Sequence, residues 1–236
     1  MKIIPVVDIK QSRAVLAKQG RRDQYRPIDT ALCGSSKPAE VIQSFLALYP
    51  FPVIYIADLD AINGDTCNRD LIGELCARFP TIEFLVDCGN LHDLWRKIGK
   101  PPENACPVLG TESYTSLSEL TGDLSFLSRW HPIISLDFKN GTLVGCADIL
   151  QQVDVWTERL ILLNIDAVGS SSGVDLKLLQ TVTRKNTRSN IIVGGGIRGL
   201  NDLLHLRRLG VDGALIASCL HQKNLSTTEI EQLTSA

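Results

Sequence analysis

The hydrophobic positions of this chain fall into eight short runs separated by polar or amphipathic stretches. The runs are Ile3–Val7, Val53–Ala57, Ile82–Val86, Cys106–Leu109, Ile133–Leu136, Leu160–Ile165, Asn190–Val193 and Ala214–Ala217. Each is apolar at consecutive rather than alternate positions, the pattern of strands in a parallel sheet covered on both faces. Between them, Pro38–Leu48 opens with proline in its first turn, and Asn68–Phe79 sets Leu71, Ile72, Leu75 and Cys76 along one helical face. Asp175–Thr183 and Leu200–Leu209 repeat that design. Strand and helix alternating in units of roughly 30 residues indicate an α/β fold with right-handed crossovers.

Eight such units occupy the whole of the 236 residues and leave no room for a second domain, so residues 1–236 are read as one. A closed (βα)8 barrel takes about 250 residues, which fits. An open doubly wound sheet is the competing architecture. An internal repeat favours the barrel. Ile4-Pro5-Val6-Val7-Asp8-Ile9-Lys10 reads against Ile134-Ser135-Leu136-Asp137-Phe138-Lys139, and Ile56-Ala57-Asp58-Leu59-Asp60-Ala61 against Leu163-Asn164-Ile165-Asp166-Ala167. Val86-Asp87-Cys88-Gly89 then reads against Val193-Gly194-Gly195-Gly196. The matches come in the same order at similar spacing, as two duplicated half-barrels would give.

Composition removes several function classes. With 24 Lys+Arg against 26 Asp+Glu and a net charge of −2, there is no basic excess for nucleic acid. No uncharged apolar run approaches the roughly 18 residues a membrane span needs, and the apolar run at the N-terminus is too short for a secretory signal. The seven cysteines are odd in number, widely spaced and without a C-x-x-C pair. Reduced thiols in a cytoplasmic protein are therefore expected. His92, His131, His205 and His221 show no ligand spacing, so no metal is expected, and no cofactor either.

Chemistry in such a barrel sits at the C-terminal ends of the strands. The first strand ends in Asp8, the second in Asp58 and Asp60, the third in Asp87, the fifth in Asp137, and the sixth in Asn164 and Asp166. Carboxylates placed directly after apolar strands are either acid–base groups or caps for the following loop. Asp8 and Asp137 are the pair read as catalytic. The seventh strand runs into Gly194-Gly195-Gly196, and the eighth ends at Ala217-Ser218. Glycine peptides opening a helix suit an anion, and barrels often hold phosphate at these two loops. A dinucleotide site is rejected, because no acid ends the next strand. Gly169-Ser170-Ser171-Ser172-Gly173 could add donors to the same anion, making Gly169, Ser170, Gly195, Gly196, Ala217 and Ser218 the phosphate-binding set. The long connection Gln11–Lys37 carries Arg13, Lys18, Arg21, Arg22, Tyr25 and Arg26, and is either a basic lid or a solvated surface loop.

The stretches I-I-P-V-V-D-I-K (3–10), K-Q-G (18–20), S-L-D-F-K-N-G (135–141), V-G-G-G-I-R-G-L-N-D-L (193–203) and G-V-D-G-A-L-I-A-S-C-L-H (210–221) resemble one enzyme family. It is that of the histidine-biosynthesis isomerase of phosphoribosylformimino-aminoimidazole carboxamide ribotide and the related imidazole glycerol phosphate synthase cyclase subunit. The resemblance implies a half-barrel-duplicated (βα)8 fold, a phosphorylated ribosyl substrate, and Asp8 and Asp137 as base and acid. Three departures stand against the histidine-pathway reaction itself. Asp87-Cys88-Gly89 replaces a glycine triplet for a second phosphate, Val168 replaces an acid, and Leu16-Ala17 replaces a basic position. Arg21 or Arg26 is a candidate to restore the charge recognition lost at Asp87. With A-D-L-D-A-I (57–62) and Asp-x-Gly after the third strand, the chain also resembles a divergent branch associated with methanopterin-type one-carbon coenzyme metabolism.

Three functions follow as expectations. The first is an aldose–ketose type isomerase acting on a small phosphorylated metabolite by aspartate acid–base catalysis. The second is a Schiff-base lyase or synthase using Lys10 or Lys139, each two residues beyond an aspartate. The third is a barrel that binds a phosphometabolite without turning it over. A protein partner or a homo-oligomer stays open in all three.

Overall fold

The computed structural model describes residues 1–235 except 91, 93, 94, 96–101, 171, 186 and 187. Its barrel strands are β1 (Lys2–Lys10), β4 (Val53–Asp58), β5 (Glu83–Asp87), β6 (Ala105–Gly110), β7 (Ile133–Lys139), β9 (Arg159–Asn164), β10 (Asn190–Gly194) and β11 (Gly213–Ile216). Neighbours pair in parallel in that order, and β11 closes onto β1 through Lys2↔Gly213 to Pro5↔Ile216. The eight apolar runs are thus the eight staves of a closed (βα)8 barrel. An open doubly wound sheet is ruled out by the β11–β1 pairing.

The strands sort their side chains by parity, because successive residues point to opposite faces. Ile4 and Val6 of β1, Val53 and Tyr55 of β4, Leu85 of β5, Val108 of β6 and Leu215 of β11 pack together inside the barrel. Ile3, Val7, Ile54, Ile56, Phe84, Val86, Ile134 and Leu136 face outward, against helix residues such as Ile42, Phe45, Leu75 and Leu206. A fully buried aliphatic side chain of this kind contributes about 1.5–3 kcal/mol. Asp8, Asp87 and Asp137 continue inward rows at the C-terminal rim, whereas Asp58 and Asn164 continue outward ones.

The helices take their starts from local signals. Asp175 Oδ1 accepts from Leu178 N at 3.0 Å at the head of Leu176–Thr183. Ser116 Oγ accepts from Glu119 N ahead of Leu117–Phe126, and Ser226 and Glu229 form a reciprocal box ahead of Thr227–Thr234. Among the described residues, no helix is long and apolar enough to cross a membrane.

The connection Gln11–Lys37 is not a plain loop. It holds β2 (Arg13–Leu16), which pairs antiparallel with the extended end of β1, and β3 (Arg26–Pro27), which pairs with β2. A matching hairpin joins β7 to β8 (Thr142–Leu143). The two turns use left-handed residues at equivalent places, Gln11 and Ser12 in one half and Asn140 and Gly141 in the other. Asp60 accepts from Gln11 N at 2.7 Å, and Asp166 accepts from Asn140 N, so the same latch recurs in each half. Strand β7 is the fourth from β1 in either direction around the barrel. Asp8 and Asp137 therefore end opposite staves.

Candidate active site

A pocket with about 860 Å³ of empty space, counting what opens to solvent, lies at the C-terminal rim. One side is carboxylate-rich, with Asp8, Asp87 and Glu112 beside Arg22, Tyr25 and Tyr55. The other is built from peptide edges at Gly169, Gly195, Gly196, Ala217 and Ser218, with Val168 and Ile197 as apolar floor.

Asp8 reaches this space from inside the first stave. Burial raises its pKa from 3.8 to about 7, against the opposing pull of the Arg22 guanidinium. A carboxyl poised there changes charge near neutrality, as a general base should. Asp87 is buried and raised to about 6 by desolvation, tempered by the Gly89 amide at 3.0 Å and by the Tyr55 hydroxyl at 3.0 Å. The Asp87 carboxylate thus takes up the Gly89 amide itself.

Asp137 lies deeper. It is 1% exposed and does not line the open pocket. Its carboxylate accepts from Ser135 Oγ at 2.6 Å and from Glu112 N at 3.2 Å. Burial, then the charges of Glu112 and Asp87, hold its pKa well above the ordinary value. A methyl group at Gly110 would lie 2.8 Å from Asp137 Oδ2 and 3.1 Å from Asp87 Oδ2. The two carboxyl groups flank that glycine, and like charges so placed do not both ionise readily.

The other aspartates hold loops. Asp58, fully buried, accepts from Ala61 N at 3.2 Å, Asn68 N at 2.7 Å and Asn68 Nδ2 at 2.7 Å. Asp60 and Asp166 latch the two hairpins, and none of these three lines the pocket. Asn164 presses its carbonyl against Gly195. Ser170 turns its hydroxyl onto Ala167 O at 2.8 Å and stays outside the pocket, and Ser171 lies outside the described residues.

Neither lysine faces the pocket. Lys10 Nζ donates to the Arg22 carbonyl at 2.7 Å, and Lys139 is exposed on the β7–β8 hairpin. Arg22, rather than Arg21 or Arg26, is the cation that reaches the acidic side. It donates to Glu112 Oε1 at 2.6 Å and to Asn63 Oδ1 at 3.0 Å, spanning the mouth from the first connection. Tyr25 comes with it, so this connection covers the site.

Sequence reasoning missed Tyr55 and Glu112. Tyr55 sits mid-strand among apolar residues and gives no signal until its parity is known. Glu112 lies in a short turn after β6, where only adjacency to a strand end could have marked it. No cluster of residues suited to a metal ion occurs among the described residues.

The glycines on this side of the pocket are there for geometric reasons. Gly196 has φ +81°, and a Cβ on it would come 2.2 Å from Gly173 O. At Gly169, φ is +69° and a Cβ would meet Ala17 O at 2.0 Å. Only glycine permits both the left-handed backbone and the close approach. The first connection is thereby stitched to the loop after β9, with Gln19 N donating to Val168 O at 2.7 Å.

Comparison with known proteins agrees with this architecture. The profile of the family described as histidine biosynthesis protein matches residues 2–94 and 133–226, one segment in each half. An uncharacterized protein of Methanocaldococcus jannaschii is 37% identical, covering 98% of this chain and 97% of its own. Two relatives are named as isomerases of a 1-(5-phosphoribosyl) imidazole-4-carboxamide bearing a second phosphoribosylamino group. The one from Thioalkalivibrio sulfidiphilus is 25% identical over 99% of both chains. That from Archaeoglobus fulgidus is 24% identical over 97% of this chain and 95% of its own.

Proposed function

This chain belongs to the histidine biosynthesis protein family, and on that premise we propose that it is an isomerase of a phosphorylated ribosyl or aminoaldose metabolite working by carboxylate acid–base catalysis. The observation that carries the reading is one pocket with Asp8, raised to about 7, on one side and the peptide cradle on the other. A sugar phosphate anchored by its phosphate at Gly196 and Ser218 presents its anomeric end to the carboxylates.

Conversion of an aminoaldose to an aminoketose needs a proton on the ring oxygen and a proton removed from C2. The Asp87–Asp137 pair supplies the first, with Asp137 holding the proton by burial and Asp87 standing on the pocket side. Asp8 removes the second and returns it to C1, and the C2 hydroxyl proton restores the acid. Each proton transfer by a positioned group is worth about 10²–10⁴-fold. The Schiff-base route has no support in these positions, since Lys10 is committed to a carbonyl and Lys139 lies in solvent. The acidic side also argues against a bisphosphate, because Asp87 and Glu112 would face the second dianion.

The test is Asp8→Asn, assayed with a phosphoribosyl aminoaldose as substrate and inorganic phosphate as a binding probe. Turnover falls about 10²–10⁴-fold while phosphate binding stays within about threefold. Undiminished turnover in Asp8→Asn overturns the mechanism.

A further inference from the structure

The cradle has two sides. A second cleft, with about 1370 Å³ of empty space counting what opens to solvent, begins where the first ends and shares Gly169 and Ser218 with it. Two cations line this cleft, Lys18 and Arg26, together with Gln24 and Gln222. No carboxylate does so among the described residues. The charge balance is thus opposite to that of the first pocket, where three acids face one arginine.

The cleft is held in shape by specific ties. Arg26 is fixed opposite Leu16 in the β2–β3 ladder, and Gln19 N donates to Val168 O at 2.7 Å just beyond Lys18. Across the opening, Thr30 Oγ1 pairs with His221 Nδ1 at 3.2 Å, joining the first connection to the helix Ser218–His221. Burial lowers the His221 pKa to about 4, so this wall is neutral and the positive charge belongs to the hairpin. Arg26 spends one terminal nitrogen on the carbonyls of Asp23 and Tyr25, at 3.1 Å each. Its remaining donors, and the Lys18 ammonium, meet no protein acceptor among the described residues.

We infer that the phosphate in the cradle is not the end of the ligand. The second cleft takes a further phosphoryl group joined to the first, so the substrate is a diphosphate ester whose outer phosphate lies between Lys18 and Arg26. This rests on the proposed function in one respect, the placement of the inner phosphate at Gly169 and Ser218. A terminal monophosphate would need only the peptide cradle. Two uncommitted cations set beyond it, across a seam rather than inside the reacting pocket, match an added dianion.

The experiment is calorimetric titration of inorganic phosphate and of pyrophosphate at fixed ionic strength, on the full chain and on the double variant Lys18→Gln, Arg26→Gln. Pyrophosphate binds the parent at least about tenfold tighter than phosphate, the size of one charge-assisted contact. In the double variant that preference falls to within about threefold, while phosphate affinity changes by less than about threefold. Circular dichroism and the retained phosphate binding show that the variant is folded. If phosphate binds but pyrophosphate binds no tighter, or if the preference survives in the double variant, the inference is overturned and the proposed function stands. Should the parent bind neither anion, the cradle itself is wrong and both readings fall.

Discussion

The hydroxyl of Tyr55 donates to Oδ2 of Asp87 at 3.0 Å, and both groups are buried at the barrel mouth. The phenol belongs to the inward row of β4 and the carboxylate to that of β5. In register Tyr55 lies opposite Leu85 and Ala57 opposite Asp87, so this contact runs diagonally between neighbouring staves, two residues out of register. Burial, then the charges of Asp87, Asp137 and Asp8, push the pKa of Tyr55 far up. It stays a neutral donor at any working pH.

Tyr55→Phe removes that donor and leaves one oxygen of Asp87 without it. The Asp87 pKa then rises above about 6, since the lost hydrogen bond favoured the ionised form. Carboxyl-carbon NMR titration reads the shift. Thermal or urea unfolding should show a loss of about 1–3 kcal/mol from the buried acceptor. An unchanged Asp87 titration would remove Tyr55 from this account.

Asp8 also makes stability depend on pH. In the fold it keeps its proton to about pH 7, whereas its ordinary value is 3.8. Between those values the native state binds more protons than the unfolded chain, so raising the pH destabilises the fold. The penalty begins near pH 4 and is complete above pH 7. Asp8→Asn abolishes it: the variant is more stable than the parent at pH 8, and the gap closes at pH 4. Urea midpoints at the two pH values decide the matter.

Arg22→Gln separates charge from chemistry. The guanidinium pulls the Asp8 pKa down, so its loss moves the acidic limb of kcat/KM above about pH 7. It also breaks the bridge to Glu112 and Asn63, which holds the first connection over the pocket. KM should rise about tenfold, the worth of one charge-assisted contact. A pH profile identical to that of the parent would show that Arg22 acts on the loop alone.

Asp58→Ala is expected to behave in the opposite way. Three hydrogen bonds to the β4–helix corner disappear, at a cost of about 3 kcal/mol or more in stability. Turnover per folded molecule stays the same, because Asp58 does not touch the pocket. Differential scanning calorimetry and active-site-normalised rates distinguish this from a catalytic defect.

Much of the architecture was legible from the chain alone. Continuous apolar runs, helical stripes and the ordered repeat are local or periodic properties, and they led to the closed barrel and its eight staves. The hairpins on β1 and β7 were not, because β3 and β8 are two residues each and exist only through their partners. Helix Leu117–Phe126 is not legible either, although Ser116 and Glu119 spell its start, since Gly122 and several hydroxyl residues dilute its apolar face.

At the site, residue types and strand ends determined that carboxylates and glycine peptides would gather at one rim. What they do there was decided by the tertiary structure. A strand buried on both faces looks the same in either parity, so Asp58 and Asp8 read alike until the sheet closes. Closure then turns Asp8 inward beside Tyr55 and Asp58 outward to cap a helix. It also sets Asp137 beneath Glu112, brings Arg22 across from a distant connection, and opens a basic cleft behind the glycines. Sequence spacing encodes distances along the chain, whereas desolvation and charge pairing depend on distances through space, and only the folded barrel supplies those.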